Sequence, residues 1–180
     1  TDRINEIKKI IPNISEKIEE IIPSLFNRLL SHYISTEKYG HCMAPLNGGM
    51  EHQTMTTLGN FGTVLTAHEL FHHWFGDHVT CQTWADIWLN EGFATWTEAF
   101  WYESYAGYAA YKSDIDDDAT YYLANNPGWA ISIPSWAVNT PPTDSLFNYQ
   151  ITYLKGACVL HQLRYVLGDS LFFAVLKAYS

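Results

Sequence analysis

The sequence predicts an α+β domain, mostly helical. Three observations carry this. Apolar residues recur at helical spacing through most of the 180-residue chain. One stretch, residues 39 to 58, breaks that pattern with glycines, a proline and threonines and reads as strands and turns. Hydrophobic residues make up 47% of the chain, enough to build one buried core in a domain of ordinary size.

The elements follow in order. Residues 14 to 34 place Ile18, Ile21, Ile22, Leu25, Phe26, Leu29 and Leu30 on a helical face, with Ser15 as N-cap and Glu16 just inside. Pro23 breaks or kinks that helix. From Tyr39 to Leu58, the residues Gly40, Pro45, Asn47, Gly48 and Gly49 predict a short strand, a glycine turn and a second strand at about 50 to 57. A helix is expected from Thr63 to Phe75, capped by Thr63 or Asn60 and ended by Gly76 and Asp77. Residues 78 to 84 connect it to a second helix from Asp86 to Tyr105. Residues 108 to 124 read as helix, with Asp116, Asp117 and Asp118 on a solvated face. Asn125 to Thr143 holds four prolines and predicts a long irregular loop. A helix returns from Tyr149 to Leu167, and Gly168, Asp169 and Ser170 turn the chain into a last helix.

Composition excludes some functions. The formal net charge of -9 argues against nucleic acid as a partner, since phosphate binding needs clustered Lys and Arg. It leaves neutral or cationic ligands open, including the ammonium end of a peptide. Cys42, Cys81 and Cys158 are odd in number and form no CxxC pair, so neither a disulfide framework nor a thiolate zinc site is expected. No run approaches the roughly 20 apolar residues of a membrane span. No secretory leader is visible and the chain begins at Thr1, which reads as a fragment. The compartment, cytoplasmic or secreted, and the oligomeric state stay open.

The densest chemistry is HELFHHWFGDH, residues 68 to 78, with four histidines and two acids. His68 and His72 are four apart, about 400° of helix, so both imidazoles leave one face a turn apart and can reach one zinc ion. Glu69 sits one residue round, beside the metal, where a base must stand to take a proton from an attacking water. Two residues compete for the third ligand position. His78 has the spacing of the HExxHxxGxxH pattern, but Phe75 stands where that pattern needs glycine, and Met43, Met50 and Met55 all lie upstream of it. Glu91, in WLNEGFA, is nineteen residues after His72, and a returning second helix brings it over the metal. Glu98, two turns further along the same face, can orient a zinc-binding imidazole or stand on the surface.

HELFHHWFGDHVT followed by WLNEGFATWTE resembles the HExxH-x18-E signature of the M1 family of zinc aminopeptidases. Two motifs at fixed spacing are far more specific than HExxH alone. The resemblance implies a thermolysin-like zinc metallopeptidase catalytic domain with one zinc per chain, held by His68, His72 and Glu91. GGMEH, residues 48 to 52, resembles the family's GxMEN motif, which assigns Glu51 to the free α-ammonium of the substrate and Gly48 and Gly49 to close backbone approach. His52 stands where the family motif has Asn. YLKGA, residues 153 to 157, resembles the family's YxKGA segment and assigns Tyr153 to the oxyanion, a role that suits a neutral phenol. Tyr149 is a weaker candidate on the same face, and Lys155 reads as structural.

The resemblance spans roughly residues 39 to 180, least clearly from 106 to 143. It implies that residues 1 to 180 are one catalytic domain without the family's N-terminal β domain and C-terminal helical domain. The expected partners are peptides with a free N-terminus, with no nucleic acid and no membrane span. Other readings stay open: epoxide hydrolysis on the same metal, a zinc-containing fragment that binds peptides without cleaving them, and a helical domain with a histidine-rich surface.

Overall fold

The computed structural model describes residues 39–179. The helix expected at 14 to 34 lies outside the described residues.

Residues 40 to 58 form a three-stranded sheet of β1 (Gly40–Met43), β2 (Gly49–Met50) and β3 (Met55–Leu58), in the order β1-β3-β2. β3 is central. It pairs in parallel with β1, Gly40 opposite Met55 through Met43 opposite Leu58, and antiparallel with β2, Gly49 opposite Leu58 and Met50 opposite Thr57. The single strand expected at 50 to 57 is therefore two strands around a turn. Met55 N donates to His52 O at 2.9 Å and Thr54 has φ 65°, so the chain reverses just after Glu51. Glu51 is thereby left at the mouth of a turn rather than inside a ladder.

α1 runs from Thr63 to Phe71, shorter than the helix expected to Phe75. Past Phe71 the bonds tighten: His73 N donates to Leu70 O and Trp74 N to Phe71 O. Its N-cap is Gly62 rather than Thr63 or Asn60. Asn60 acts one step back, its Oδ1 accepting from Gly62 N at 2.8 Å. A 3-10 turn over Trp84–Asp86, where Thr83 Oγ1 accepts from Ala85 N, leads into α2, Trp88–Ala106. Gly107, at φ 84°, takes the left-handed conformation that turns α2 into α3, Tyr108–Asn125.

The proline-rich stretch is irregular as expected, with one 3-10 turn over Pro134–Ala137. A single helical turn, α4 (Thr143–Leu146), follows. The helix expected from Tyr149 begins instead as a π-helical segment, Tyr149–Lys155, and becomes α-helical as α5, Gly156–Tyr179. Asn148 caps the π segment by accepting from Ile151 N. The turn expected at Gly168 is a break inside α5, at φ 70° and ψ 158°.

α2 is the axis of the core. Its Phe93, Trp96 and Phe100 pack against Phe75, against Tyr111 and Ile115 of α3, and against Phe172 of α5. Trp96 is fully buried, and its indole N–H donates to Tyr111 Oη at 3.0 Å, so the largest core side chain has its polar atom satisfied. Arg164 is buried on α5 and holds Glu103 with two bonds, at 2.5 and 3.0 Å, and also pairs with Asp169. The stretch Thr143–Tyr179 is, by length and composition alone, long and apolar enough to cross a membrane. Its inner face instead packs into the core and carries the ion-paired Arg164.

Candidate active site

α1 presents His68 and His72 from one face, and α2, packed on it, brings Glu91 to them. His68 Nε2 and His72 Nε2 are 3.1 Å apart, and Glu91 Oε2 lies 3.5 Å from the first and 3.2 Å from the second. Ligand atoms about 2.0–2.1 Å from a tetrahedral zinc ion stand roughly 3.3–3.4 Å from one another. The three atoms therefore already form one face of such a tetrahedron. All three residues are buried. The remaining imidazole nitrogens are occupied: His68 Nδ1 donates to Glu98 Oε1 at 2.7 Å, and His72 Nδ1 donates to Phe75 O at 3.1 Å. Each bond fixes the tautomer that turns an Nε2 lone pair inward. His78 is exposed and outside this group, so geometry favours Glu91 as the third donor.

The electrostatics favour positive charge at this point. Burial opposes protonation of His68, but hydrogen bonds and charge from Glu91 and Glu98 outweigh it and push its pKa up to about 10. His72 moves the same way, against burial, through Glu91. Burial likewise opposes ionisation of Glu91, yet the two imidazoles pull it down to about 2. This donor set, two imidazoles and one carboxylate with a side left open, fits a zinc ion.

Glu69 lies beside the triad, 5% exposed. Burial is the main cause that pushes its pKa up to about 7, with the charges of Glu51 and Glu91 adding and those of His68 and His72 opposing. A carboxylate poised there is well placed to take and return a proton near neutral pH. β2 lies directly against it: a Cβ on Gly49 would stand 2.5 Å from Glu69 Cδ. Gly48, at φ 84°, makes the turn into that strand, and Glu51 follows it, half-buried at the cleft wall.

Tyr153 comes from the π-helical segment and closes the opposite side. Its ring stacks on that of His68, with centroids 6.2 Å apart and planes at 20°. Burial, followed by the charges of Glu91, Glu51 and Glu69, raises its pKa, so the hydroxyl keeps its proton for donation. Tyr149 also lines the cleft, its ring 5.8 Å from that of Tyr153. Lys155 points elsewhere, donating to Trp129 O at 3.0 Å. The whole cleft encloses about 1230 Å³.

The structure thus gathers Gly48, Gly49, Glu51, His68, Glu69, His72, Glu91, Glu98 and Tyr153 around one cleft. Three contributors were given no role by the sequence reading. Phe75 acts through its carbonyl, which no residue type advertises. Gly92 and Gly156 act by lacking side chains, and the close approach they permit sets Glu91 against Tyr153.

Residues 46–180 match the model of the peptidase family M1 domain. The chain is 39% identical over 120 residues to aminopeptidase N of Streptomyces lividans, covering 62% of this chain and 13% of that protein. It is 38% identical over 134 residues to aminopeptidase N of Rattus norvegicus, covering 69% and 14%. Among solved structures it resembles an M1 zinc metallopeptidase from Deinococcus radiodurans, whose mutant form was crystallised with a Tyr-Ser-Ala substrate. The TM-score is 0.67 and the identity 31%, over 78% of this chain and 31% of that one. The chain belongs to peptidase family M1. It spans about one seventh of the length of these curated relatives.

Proposed function

We propose that residues 1 to 180 form a thermolysin-like catalytic domain that removes N-terminal residues from peptides, with one zinc ion held by His68, His72 and Glu91. The triangle of ligand atoms, with edges of 3.1, 3.2 and 3.5 Å, is the observation that carries this reading. Family membership and the aminopeptidase N relatives support it.

Zinc, when bound, supplies a Lewis acid that polarises the scissile carbonyl and acidifies water. Glu69 takes the proton of the attacking water and returns it to the leaving nitrogen, so the amine departs neutral. Tyr153 donates its O–H to the carbonyl oxygen as negative charge develops there. Glu51 accepts hydrogen bonds from the substrate's α-ammonium, which places the first peptide bond, and no later one, at the centre. Gly48 and Gly49 let the peptide backbone lie close to β2. Glu98 and Phe75 O hold the two imidazoles in register.

The test is Glu69→Gln on the zinc-loaded protein, assayed with a peptide and its N-acetylated form. The expected result is retained zinc, hydrolysis lowered by about 10²–10⁴-fold, and no cleavage of the acetylated peptide by the parent. Equal turnover of both peptides would refute the aminopeptidase assignment. A parent that binds zinc and peptide without hydrolysis would identify a binding fragment instead.

A further inference from the structure

We infer that His73 is a positioning residue for the amine end of the substrate: its Nε2–H holds the Glu51 carboxylate in the orientation that receives the α-ammonium. The inference rests on the role given to Glu51 under Proposed function.

A buried polar atom without a partner costs free energy, so it marks a bond that the free protein leaves unmade. Among the described residues two buried side-chain polar atoms lack a partner, His73 Nε2 and Thr95 Oγ1. His73 is 5% exposed, so bulk water does not supply the missing bond. The Tyr39 ring meets its imidazole edge-on, with centroids 5.0 Å apart and planes at 87°, and limits its tilt. Tyr39 Oη is itself engaged by Thr56 Oγ1 at 2.6 Å.

The backbone brings Glu51 to this nitrogen. His73 follows Glu69 by four residues and so stands one turn further along the same face. β2 lies against Glu69, and Glu51 follows β2. The Glu51 carboxylate comes within 4.8 Å of donor atoms of both Glu69 and His72, the residues one turn before and immediately before His73. Glu51 is also the carboxylate whose charge acts on His73.

An ammonium site needs its carboxylate held as well as present. The charges of Glu51 and Glu69 repel one another. An uncharged imidazole N–H on the other side steadies Glu51 without cancelling the negative charge that the ammonium needs, which a lysine there would do. The bond closes as substrate binds, since hydrogen bonds left loose in a free site tighten in the complex.

The experiment compares the whole zinc-loaded chain as parent, His73→Phe and His73→Gln. Phenylalanine keeps a ring without the donor, and glutamine restores an N–H. Each form is assayed for KM and kcat on a peptide with a free amine, for inhibition by the N-acetylated peptide, and for zinc content. In His73→Phe, KM for the free peptide is expected to rise by about tenfold or more. In that variant kcat changes less, zinc is retained and inhibition by the acetylated peptide is unchanged. His73→Gln is expected to recover most of the loss. An unchanged KM in His73→Phe would overturn the inference and leave the proposed function standing. So would loss of zinc, equal weakening of both peptides, or a defect that glutamine does not restore, because each marks a role in packing. His73→Met, flexible and also without a donor, carries the same comparison where the phenylalanine variant does not fold. A parent that binds free and acetylated peptides alike would remove the amine site itself, and the proposed function with it.

Discussion

Gly92 of α2 and Gly156 at the head of α5 meet backbone to backbone: a Cβ on either would stand 2.8 or 2.7 Å from the other's Cα. Glu91 precedes the first glycine, and Tyr153 lies one turn before the second. The contact therefore sets how far the metal-side carboxylate stands from the phenol. Gly156→Ala inserts a methyl group where no atom can yield, since both neighbours are main chain. Overpacking of this kind costs about 1–3 kcal/mol. Denaturant unfolding should show that loss, and kcat should fall with it because Tyr153 is pushed from the centre.

Glu98 holds His68 Nδ1 at 2.7 Å. Glu98→Ala frees the imidazole to rotate and lowers its basicity. Zinc affinity should fall by about 10–100-fold, read by competition with a chelator. An unchanged affinity would return Glu98 to the role of a cleft-wall carboxylate.

Tyr153→Phe removes one hydroxyl and leaves the ring stacked on His68. Loss of one oxyanion donor typically lowers kcat by about 10²–10³-fold. KM should hardly change, because substrate binding does not use that hydroxyl. Tyr149→Phe is the control, and a larger loss there would exchange the roles of the two tyrosines.

Asp118 supplies a pH dependence away from the metal. Burial first, then the charges of Asp114, Glu98 and Asp117, push its pKa up to about 7. An unfolded aspartate titrates near 3.9. Between these values the folded chain binds more protons than the unfolded one, so stability falls as pH rises through that window. Asp118→Asn should raise Tm at pH 8 and leave it nearly unchanged at pH 4. Equal Tm values for parent and variant at pH 8 would show that Asp118 is fully solvated.

Local rules were enough for much of this molecule. The four-residue spacing of His68 and His72 dictates a shared helix face, because a helix turns by 100° per residue whatever surrounds it. The helical runs at 88–106 and 108–125 and the break at Gly168 follow from apolar periodicity and glycine's conformational range. Family motifs supplied the roles expected of Glu51, Glu91 and Tyr153. Other features depended on contacts between distant segments. α1 stops at Phe71, where the backbone bonds tighten to Leu70 O and Phe71 O, and past that end His72 Nδ1 reaches Phe75 O. The strand expected at 50 to 57 splits at the turn where Met55 N donates to His52 O and Thr54 takes φ 65°, and the sheet then pairs β3 with both β1 and β2. The π-helical start at Tyr149 accompanies a helix crossing with no room for a side chain at Gly156. The sequence already favoured Glu91 over His78, but the distances that bring the three donors together depend on the tertiary structure. Periodicity places a side chain on a face, but only the packing of α2 on α1 brings a carboxylate within 3.5 Å of two imidazoles.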